Sequence, residues 1–228
     1  MSATEATAGA EILFILYPGM THLDFAGPYE VFARLPGAGV RLASPSGGDV
    51  RTELGLTLRG TQRLGDIVCC DLLCIPGGFD QAPVLKPECL KHVRRLAKGA
   101  RFVTSVCTGS LVLAAAGLLQ GRRSACHWAR REALSAYGAI PEPARIVRDG
   151  KFITAAGVTA GVDFALVCAA ELASRTTAQA IQLLLEYAPE PPFACGRPEE
   201  ASPEILAECH RLASAFRGRL GSASCPSK

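Results

Sequence analysis

Cys107 is the residue of this chain best placed for covalent chemistry. It stands in TSVCTGSLVLAAAGLL (residues 104–119), between an extended run and a glycine that precedes a long apolar stretch. A chain that turns there from a strand into a helix sets the thiol against unpaired amides and the positive end of the helix dipole, which stabilise a thiolate and lower its pKa. The alternative is one more buried structural cysteine. The strand–Cys–Thr–Gly–helix context favours a nucleophile, lifted clear of the sheet by the sharp turn.

Two further groups are predicted to lie beside Cys107. Asp24 follows the first apolar run of the chain, and Gly77 and Gly78 follow the second. The carboxyl ends of parallel strands meet at one edge of a sheet, where ligands bind. A thiol, a carboxylate and a glycine pair with exposed N–H groups would then converge. Covalent catalysis needs this set: a nucleophile, a proton-transfer group and anion-stabilising amides.

Two of the candidate residues have structural interpretations that the sequence leaves open. Asp24 either serves the reaction or caps the helix predicted over residues 27–35. His127 stands just before a predicted helix and is either a base or a cap, and its position alone favours the cap.

The elements that must position these groups alternate between strands and helices. Short apolar runs bounded by Pro and Gly predict strands buried on both faces. The predicted strands are 11–17, 39–44, 54–58, 71–78 and 101–106, with an Asp149-Gly150 hairpin over 144–155. The predicted helices are 27–35 (with Pro28 in its first turn), 88–99, 109–117, 127–138 (amphipathic), 161–173, 177–188 and 203–217. This alternation predicts an α/β fold, a three-layer sandwich with a mostly parallel sheet.

Composition excludes several classes of protein. The chain has 228 residues, 49% hydrophobic and 20% charged, with a formal net charge of +3 and scattered arginines. These values are ordinary for a globular protein and give no reason to expect nucleic acid or a membrane as partner. Ten cysteines occur without a C-x-x-C, several of them inside apolar runs, which favours buried free thiols over disulfides or a metal site. The first ten residues have no signal-peptide pattern, so we expect a cytoplasmic protein.

Three regions are predicted along the chain. Residues 1–10 form a flexible tail, residues 11–190 form the α/β domain, and residues 191–228 form a proline-rich strap and a helix packed on the core.

Four stretches together resemble the DJ-1/PfpI superfamily and, within it, its isonitrile hydratase branch. They are YPGMTHLDFAGPYEVFARLPGA, SVCTGSLVLAAAGLLQGRRSACHW, VTAGVDFALVCAAELA and AQAIQLLLEYAPEPPF. The resemblance covers about residues 11–193 and implies a flavodoxin-like fold, of the kind also seen in class I glutamine amidotransferases. It further implies a homodimer and a small-molecule substrate, with no metal or organic cofactor.

The resemblance also implies roles for individual residues. Cys107 would be the nucleophile and Asp24 its acidic partner. Thr108 stands where protease-like relatives carry a histidine, which argues against peptidase activity. Gly78 and Thr108 would offer backbone N–H groups to the reacting centre. His127 matches a position where many relatives carry a histidine near the thiol.

The implied reaction is hydration of an isonitrile to an N-substituted formamide. Covalent attack by Cys107 and activation of water by Asp24 both fit the residues. The alternatives are a redox-protective or glyoxalase-like protein that uses the same cysteine, and a ligand-sensing domain related to AraC-type regulators. Ala155 and Ala156 stand where more glycine is expected and would narrow a pocket there. Cys126, beside His127, introduces a second thiol that would allow a regulatory disulfide.

Overall fold

Ten strands form the two sheets in the part of the chain that the computed structural model describes, residues 9–223. They are β1 (Glu11–Ile15), β2 (Gly39–Ser44), β3 (Gly48–Arg51), β4 (Thr57–Arg63), β5 (Leu72–Ile75), β6 (Phe102–Val106), β7 (Arg123–Ser124), β8 (Ile140–Pro141), β9 (Ile146–Asp149) and β10 (Phe152–Ala155). Eight of these strands make the central sheet, in the order β3-β4-β2-β1-β5-β6-β10-β9, and β7 pairs with β8.

The central pairs of the large sheet are parallel. β1 lies between β2 and β5, and β6 lies between β5 and β10, all in parallel register. The two edge strands are antiparallel, because β3 and β9 each return along the neighbouring strand. Every residue of β5 and β6 is buried, as is every residue of β1 after Glu11. The continuous apolar runs of these strands thus mark a sheet covered on both faces, and the predicted mostly parallel sheet is confirmed.

Six α-helices complete the described structure. They are α1 (His22–Phe32), α2 (Pro87–Gly99), α3 (Gly109–Ala115), α4 (Ala160–Leu172), α5 (Arg175–Leu184) and α6 (Pro203–Ala223). Helices cover both faces of the sheet, and α4 packs against both α1 and α5. Aromatic rings join the layers, since Phe32 on α1 lies 6.0 Å from Phe14 on β1 and 6.1 Å from Phe164 on α4, measured between ring centroids. The predicted three-layer sandwich is confirmed.

Helix α1 differs from its prediction over residues 27–35. It begins at His22, so Pro28 lies in its interior and not in its first turn. The earlier start buries Asp24 and Phe25, and a proline marks a helix start only when tertiary contacts do not extend the helix before it. The candidate carboxylate is therefore part of the helix and does not precede it.

The segment predicted as an amphipathic helix over 127–138 forms 3₁₀ turns over Trp128–Tyr137. Leu134 is its one buried residue, so the segment lacks the apolar face that tertiary packing needs to hold an α-helix. Gly138 ends it at φ +72°, as the sequence predicts. The strand predicted at 54–58 is displaced to β4, because residues 52–56 form a turn around Gly55 at φ +90°.

Gly109, the first residue of α3, allows the backbone at the start of α3 to lie against the backbone at the end of β5. A Cβ atom there would lie 2.1 Å from the carbonyl oxygen of Ile75 at the end of β5. We expect Gly109→Ala to lower the free energy of unfolding by about 2 kcal/mol, because backbone must move to admit the methyl group. Urea denaturation measures the change. Gly99→Ala is the control, since a Cβ at Gly99 meets no atom within 4 Å. Equal stability of the two variants would contradict the prediction.

The chain divides into two compact units between Tyr187 and Ala188. The second unit contains a 3₁₀ turn at Pro198–Glu200 and α6. Packing of residues 191–228 on the core stays a prediction. The predicted tail over 1–10 lies outside the described residues except for its last two. None of the helices in residues 9–223 has the length and apolar character that crossing a bilayer requires.

Candidate active site

Cys107 forms a strained corner between β6 and α3. Its φ angle is +58°, a left-handed conformation that residues other than glycine adopt at an energetic cost. Two carbonyl groups hold the corner, since the Cys107 N–H donates to the oxygen of Ala155 at 3.1 Å and to that of Ala156 at 2.8 Å. The predicted sharp turn from strand to helix is confirmed. The side chain, however, is not lifted into solvent, because Cys107 is only 5% exposed.

Asp24 and Gly77 meet at the same corner. Asp24 is fully buried in the first turn of α1, and its Oδ2 accepts a hydrogen bond of 2.8 Å from the Gly77 N–H. A Cβ on Gly77 would lie 2.6 Å from the Thr108 nitrogen and 2.8 Å from Asp24 Oδ2. Only glycine at 77 therefore lets α1, the end of β5 and the cysteine corner come together. The structure brings the predicted carboxylate to the predicted thiol.

The Asp24 carboxyl group and the Cys107 thiol interact directly and share one environment. Burial is the main cause that raises the pKa of Asp24 to about 7, and the charge of Glu53 adds to it. Hydrogen bonds from the Gly77 N–H and the Cys107 thiol oppose this rise. Asp24 Oδ1 has no nitrogen or oxygen donor among the described residues, which leaves it available to a proton of the reaction.

The pKa of Cys107 shifts in the direction opposite to the prediction. Burial raises it well above its ordinary value of 9.0, and the adjacent Asp24 charge raises it further. The Thr108 N–H at the start of α3 opposes this rise. The seven-residue helix contributes less than the loss of solvent costs the anion. The prediction of a lowered thiol pKa is therefore wrong, and the resting group is a neutral thiol beside an acid that titrates near neutrality.

The glycine amides are also not free, contrary to the prediction. The Gly77 N–H is bound to Asp24, and the Gly78 N–H donates to Thr108 Oγ1 at 2.9 Å. The Thr108 hydroxyl in turn donates to the Gly78 carbonyl oxygen at 2.9 Å. Within this group, the Thr108 N–H is the amide directed at the sulfur. Gly77, Gly78 and the Thr108 hydroxyl therefore brace the corner, and one backbone amide faces the reacting atom.

Comparison with known proteins identifies the family. Residues 10–171 match the DJ-1/PfpI family. This chain belongs to the DJ-1/PfpI family. An isonitrile hydratase of Pseudomonas putida is 46% identical over 205 residues, which cover 90% of each chain. The crystal structure of a THiJ/PfpI family protein from Pseudomonas syringae superposes with a TM-score of 0.85 at 38% identity, over 94% of this chain and 90% of that one.

A regulator also matches this DJ-1/PfpI domain. The HTH-type transcriptional regulator CdhR of Pseudomonas aeruginosa is 31% identical over 163 residues. The match covers 67% of this chain and 48% of the regulator.

His127 takes the capping position in this DJ-1/PfpI structure. Its Nδ1 accepts a hydrogen bond of 3.3 Å from the Ala129 N–H, and burial lowers its pKa. The ring is therefore neutral at physiological pH and carries its proton on Nε2. It lies over Gly157, where a Cβ would be 3.2 Å from Cδ2. Its role as a cap is confirmed, and a role in binding substrate stays a prediction.

Cys126 lies in the same buried region as Cys107. Burial raises the pKa of Cys126, and the Ser110 side chain hydrogen-bonds it. Ser110 also donates to the Cys107 carbonyl oxygen at 3.2 Å, so one side chain connects the two cysteines. A regulatory disulfide between them stays a prediction. All nine cysteines in residues 9–223 are free thiols, six of them buried, and Cys225 lies outside that range.

Two functional candidates were missed at the sequence level. Glu53 follows β3; its carboxylate hydrogen-bonds with the Thr21 side chain and the Phe79 N–H, and its own N–H donates to the Met20 oxygen at 3.1 Å. It thereby connects the loop that precedes α1, and hence Asp24, with the loop after β5 that carries the glycine pair. Gln81 is buried and donates from Nε2 to Thr108 Oγ1 at 2.8 Å. Neither belongs to a sequence motif, and only the tertiary fold brings them to the site. The described residues hold no group of three or more His, Cys, Asp or Glu arranged for a metal ion.

Proposed function

We propose that this protein is an enzyme that hydrates isonitriles to N-substituted formamides, with Cys107 as nucleophile and Asp24 as proton carrier. The observation that carries the proposal is the buried contact between the Asp24 carboxyl group and the Cys107 thiol. The 46% identity to an isonitrile hydratase, spread over 90% of both chains, supports the choice of substrate class.

The first step is addition of the thiol to the terminal carbon of the isonitrile. That carbon must receive both a nucleophile and a proton. The neutral Cys107 thiol gives its proton to the Asp24 carboxylate while the sulfur attacks, and Asp24 passes the proton to the same carbon. The product is a thioimidate, R–N=CH–S–Cys107. A carboxylate with a pKa near 7 suits both halves of this transfer, because it accepts and releases a proton at similar cost.

The second step is hydrolysis of the thioimidate. Water adds to its carbon, the nitrogen is protonated, and the C–S bond breaks to release the formamide and the Cys107 thiol. Asp24 serves again as base toward the water and as acid toward the nitrogen. The Thr108 N–H stabilises charge on the sulfur during attack and departure. Atoms balance as one isonitrile plus one water, and no metal or organic cofactor takes part.

We further propose that the enzyme is a cytoplasmic homodimer. The free state of all nine cysteines in residues 9–223 suits a reducing compartment. Family resemblance supports the dimer.

Turnover of a simple isonitrile tests the function directly. We expect the purified protein to convert an alkyl or cyclic isonitrile to its formamide, detected by the formyl proton in an NMR spectrum, at a rate proportional to enzyme concentration. Buffer without protein and heat-denatured protein are the controls. No formamide above these controls, across several alkyl and aryl isonitriles, would overturn the proposal.

Ligand sensing is the second candidate function. The 31% identity to CdhR favours it over the redox-protective and glyoxalase-like functions. The isonitrile turnover experiment also distinguishes the two candidate functions. A sensor domain would bind a small molecule without consuming it, whereas the enzyme would deplete the isonitrile. Oxidation of Cys107 by mild peroxide, or turnover of small aldehydes, without formamide production would instead favour the redox-protective or glyoxalase-like function.

A further inference from the structure

The first turn of α1 lacks the capping interactions typical of its sequence pattern. Thr21 directly precedes the helix and Asp24 is its third residue, which is the spacing of a capping box. In a capping box the two side chains bind backbone N–H groups at the start of their own helix. Here Thr21 makes no side-chain cap hydrogen bond, and Asp24 Oδ2 accepts from the Gly77 N–H instead. Both side chains are thus directed to groups outside the helix.

Glu53 is the group that binds the Thr21 side chain. Its carboxylate accepts hydrogen bonds from Thr21 and from the Phe79 N–H. Its own N–H donates to the Met20 oxygen at 3.1 Å. Glu53 therefore contacts the segment before α1 through both its backbone and its side chain, and it contacts the loop after β5 through its side chain.

The segment before α1 and the loop after β5 together set the position of Asp24 at the cysteine corner. The Thr21 N–H donates to the Gly77 oxygen at 2.9 Å, beside the hydrogen bond from the Gly77 N–H to Asp24. The loop is in turn bound to the corner, because the Gly78 N–H donates to Thr108 Oγ1. Glu53 thus lies at the junction between the segment that carries the acid and the loop that is bound to the thiol corner.

Glu53 also contributes the charge that acts on Asp24. The other titratable groups around Asp24 are neutral near pH 7, because burial raises their pKa values. These groups are Tyr17 and Cys107, each raised well above its usual pKa, and Cys74, raised to about 12. Asp80 lies farther out and acts on Tyr17. A change of reactivity near pH 7 at this corner is therefore assigned to Asp24.

We propose that Glu53 is a positioning residue, which holds the Asp24 carboxyl group against the Cys107 thiol by joining the segment before α1 to the loop after β5. This role rests on the proposed function, in which Asp24 carries the proton of the reaction. Without the Glu53 carboxylate, Thr21 is released and the start of α1 is free to move away from the loop. The acid then loses its fixed place beside the sulfur.

Alkylation of Cys107 as a function of pH tests this role without a substrate. Iodoacetamide reacts with the thiol, and tryptic digestion gives a peptide of residues 102–122 in which Cys107 is the single cysteine. Mass spectrometry of that peptide gives the rate constant. In the wild type we expect the rate constant to rise with pH through about 7, because the Asp24 carboxylate accepts the thiol proton.

Glu53→Gln is expected to move the midpoint of this rise to lower pH by about 0.5–1, because a negative charge that raises the pKa of Asp24 is removed. Glu30→Gln is the matched control. It removes an exposed carboxylate from the same helix, where Glu30 pairs with Arg34, and is expected to leave the midpoint unchanged. Near-ultraviolet circular dichroism verifies that each variant is folded.

Combination with Asp24→Asn tests whether Glu53 acts through Asp24. Asp24→Asn is expected to abolish the midpoint near pH 7. Adding Glu53→Gln to it is expected to change the alkylation rate by less than about twofold at every pH, since no proton carrier is left to position. With Asp24 present, Glu53→Gln is expected to lower kcat for isonitrile hydration about tenfold and to change KM less than about twofold, because a misplaced proton carrier slows the chemistry and not the binding.

Two results would overturn the proposal. A midpoint that Glu53→Gln leaves at its wild-type pH would show that Glu53 does not control Asp24. An effect of Glu53→Gln on alkylation that persists undiminished beside Asp24→Asn would show that Glu53 acts on another group. Absence of isonitrile turnover by the wild type would instead remove the proposed function and leave the alkylation results standing, so the two failures are distinguishable.

Discussion

Replacing Cys107 with alanine is expected to lower kcat/KM for isonitrile hydration at least a thousandfold, equivalent to about 4 kcal/mol of activation free energy. The thiol supplies both the attacking atom and the first proton, so its loss removes the covalent route entirely. Alanine keeps the Cβ and the backbone hydrogen bonds to Ala155 and Ala156 that hold the corner. We therefore expect the fold to remain intact.

The Cys107→Ala experiment needs a control for the loss of a buried thiol. Cys168 on α4 is fully buried and has no part in the proposed chemistry, so Cys168→Ala is expected to lose some stability and keep its kcat. Formamide production measures activity, and near-ultraviolet circular dichroism measures tertiary structure. Cys107→Ala protein that is folded and turns over at the wild-type rate would exclude the covalent mechanism and favour direct activation of water by Asp24.

Replacing Asp24 with asparagine is expected to lower kcat/KM about a hundredfold, equivalent to about 2.7 kcal/mol. Asparagine keeps an oxygen that can accept from the Gly77 N–H but cannot carry a proton between sulfur and carbon. General acid–base groups contribute about 10²–10⁴-fold to rates, and the lower end applies because bulk water can still transfer protons slowly. A rate close to that of the wild type would remove Asp24 from the mechanism.

The pH dependence distinguishes proton transfer by Asp24 from a merely structural effect. The active form holds one proton on the pair, as a thiol beside a carboxylate. Since the pKa of Asp24 is raised to about 7 and that of Cys107 lies well above 9.0, kcat/KM is expected to rise with pH through about 7 in the wild type. Asp24→Asn is expected to lack this rise. The same rise in the variant would contradict the assignment.

Stability is expected to change in the opposite sense to activity. The pKa of Asp24 is raised on folding from 3.8 to about 7, so between these values the folded chain binds more protons than the unfolded chain. Wild-type stability therefore falls as pH rises through this window, by about 4 kcal/mol at most. Asparagine does not titrate, so the variant should match or exceed the wild type in stability above pH 7. Urea denaturation at pH 4 and pH 8 measures the difference.

Local sequence patterns were sufficient to predict the parts of the fold that depend on them. The apolar runs of β1, β5 and β6 predicted buried parallel strands, because a strand covered on both faces has no polar alternation. The turn at Cys107 and the convergence of Asp24 and Gly77 followed from the rule that ligands lie at the carboxyl edge. The start of α1 could not be predicted from the position of Pro28, because burial of Asp24 and Phe25 extends the helix ahead of that proline.

The electrostatic state of the site could not be predicted from spacing. The helix N-terminus after Cys107 argued for a lowered thiol pKa, but the opposing effect of burial is visible only in three dimensions. The sequence predicts backbone N–H groups at Gly77 and Gly78 that are free to bind an anion. In the structure they donate to Asp24 and Thr108 instead. Glu53 comes from the turn between β3 and β4 and contacts loops distant in sequence, so no local pattern marks it.

The burial of Cys107 has a consequence for which molecules can react with it. Because Cys107 is only 5% exposed, we expect its sulfur to react most readily with electrophiles that are narrow at the reacting atom. The terminal carbon of an isonitrile bears no substituent and projects along a straight C–N–C axis, so it can reach the thiol while the rest of the molecule stays outside. Branched or planar electrophiles such as amides and esters carry their reactive carbon between bulky neighbours. We therefore expect the burial of Cys107 to favour isonitriles over amides and esters as substrates.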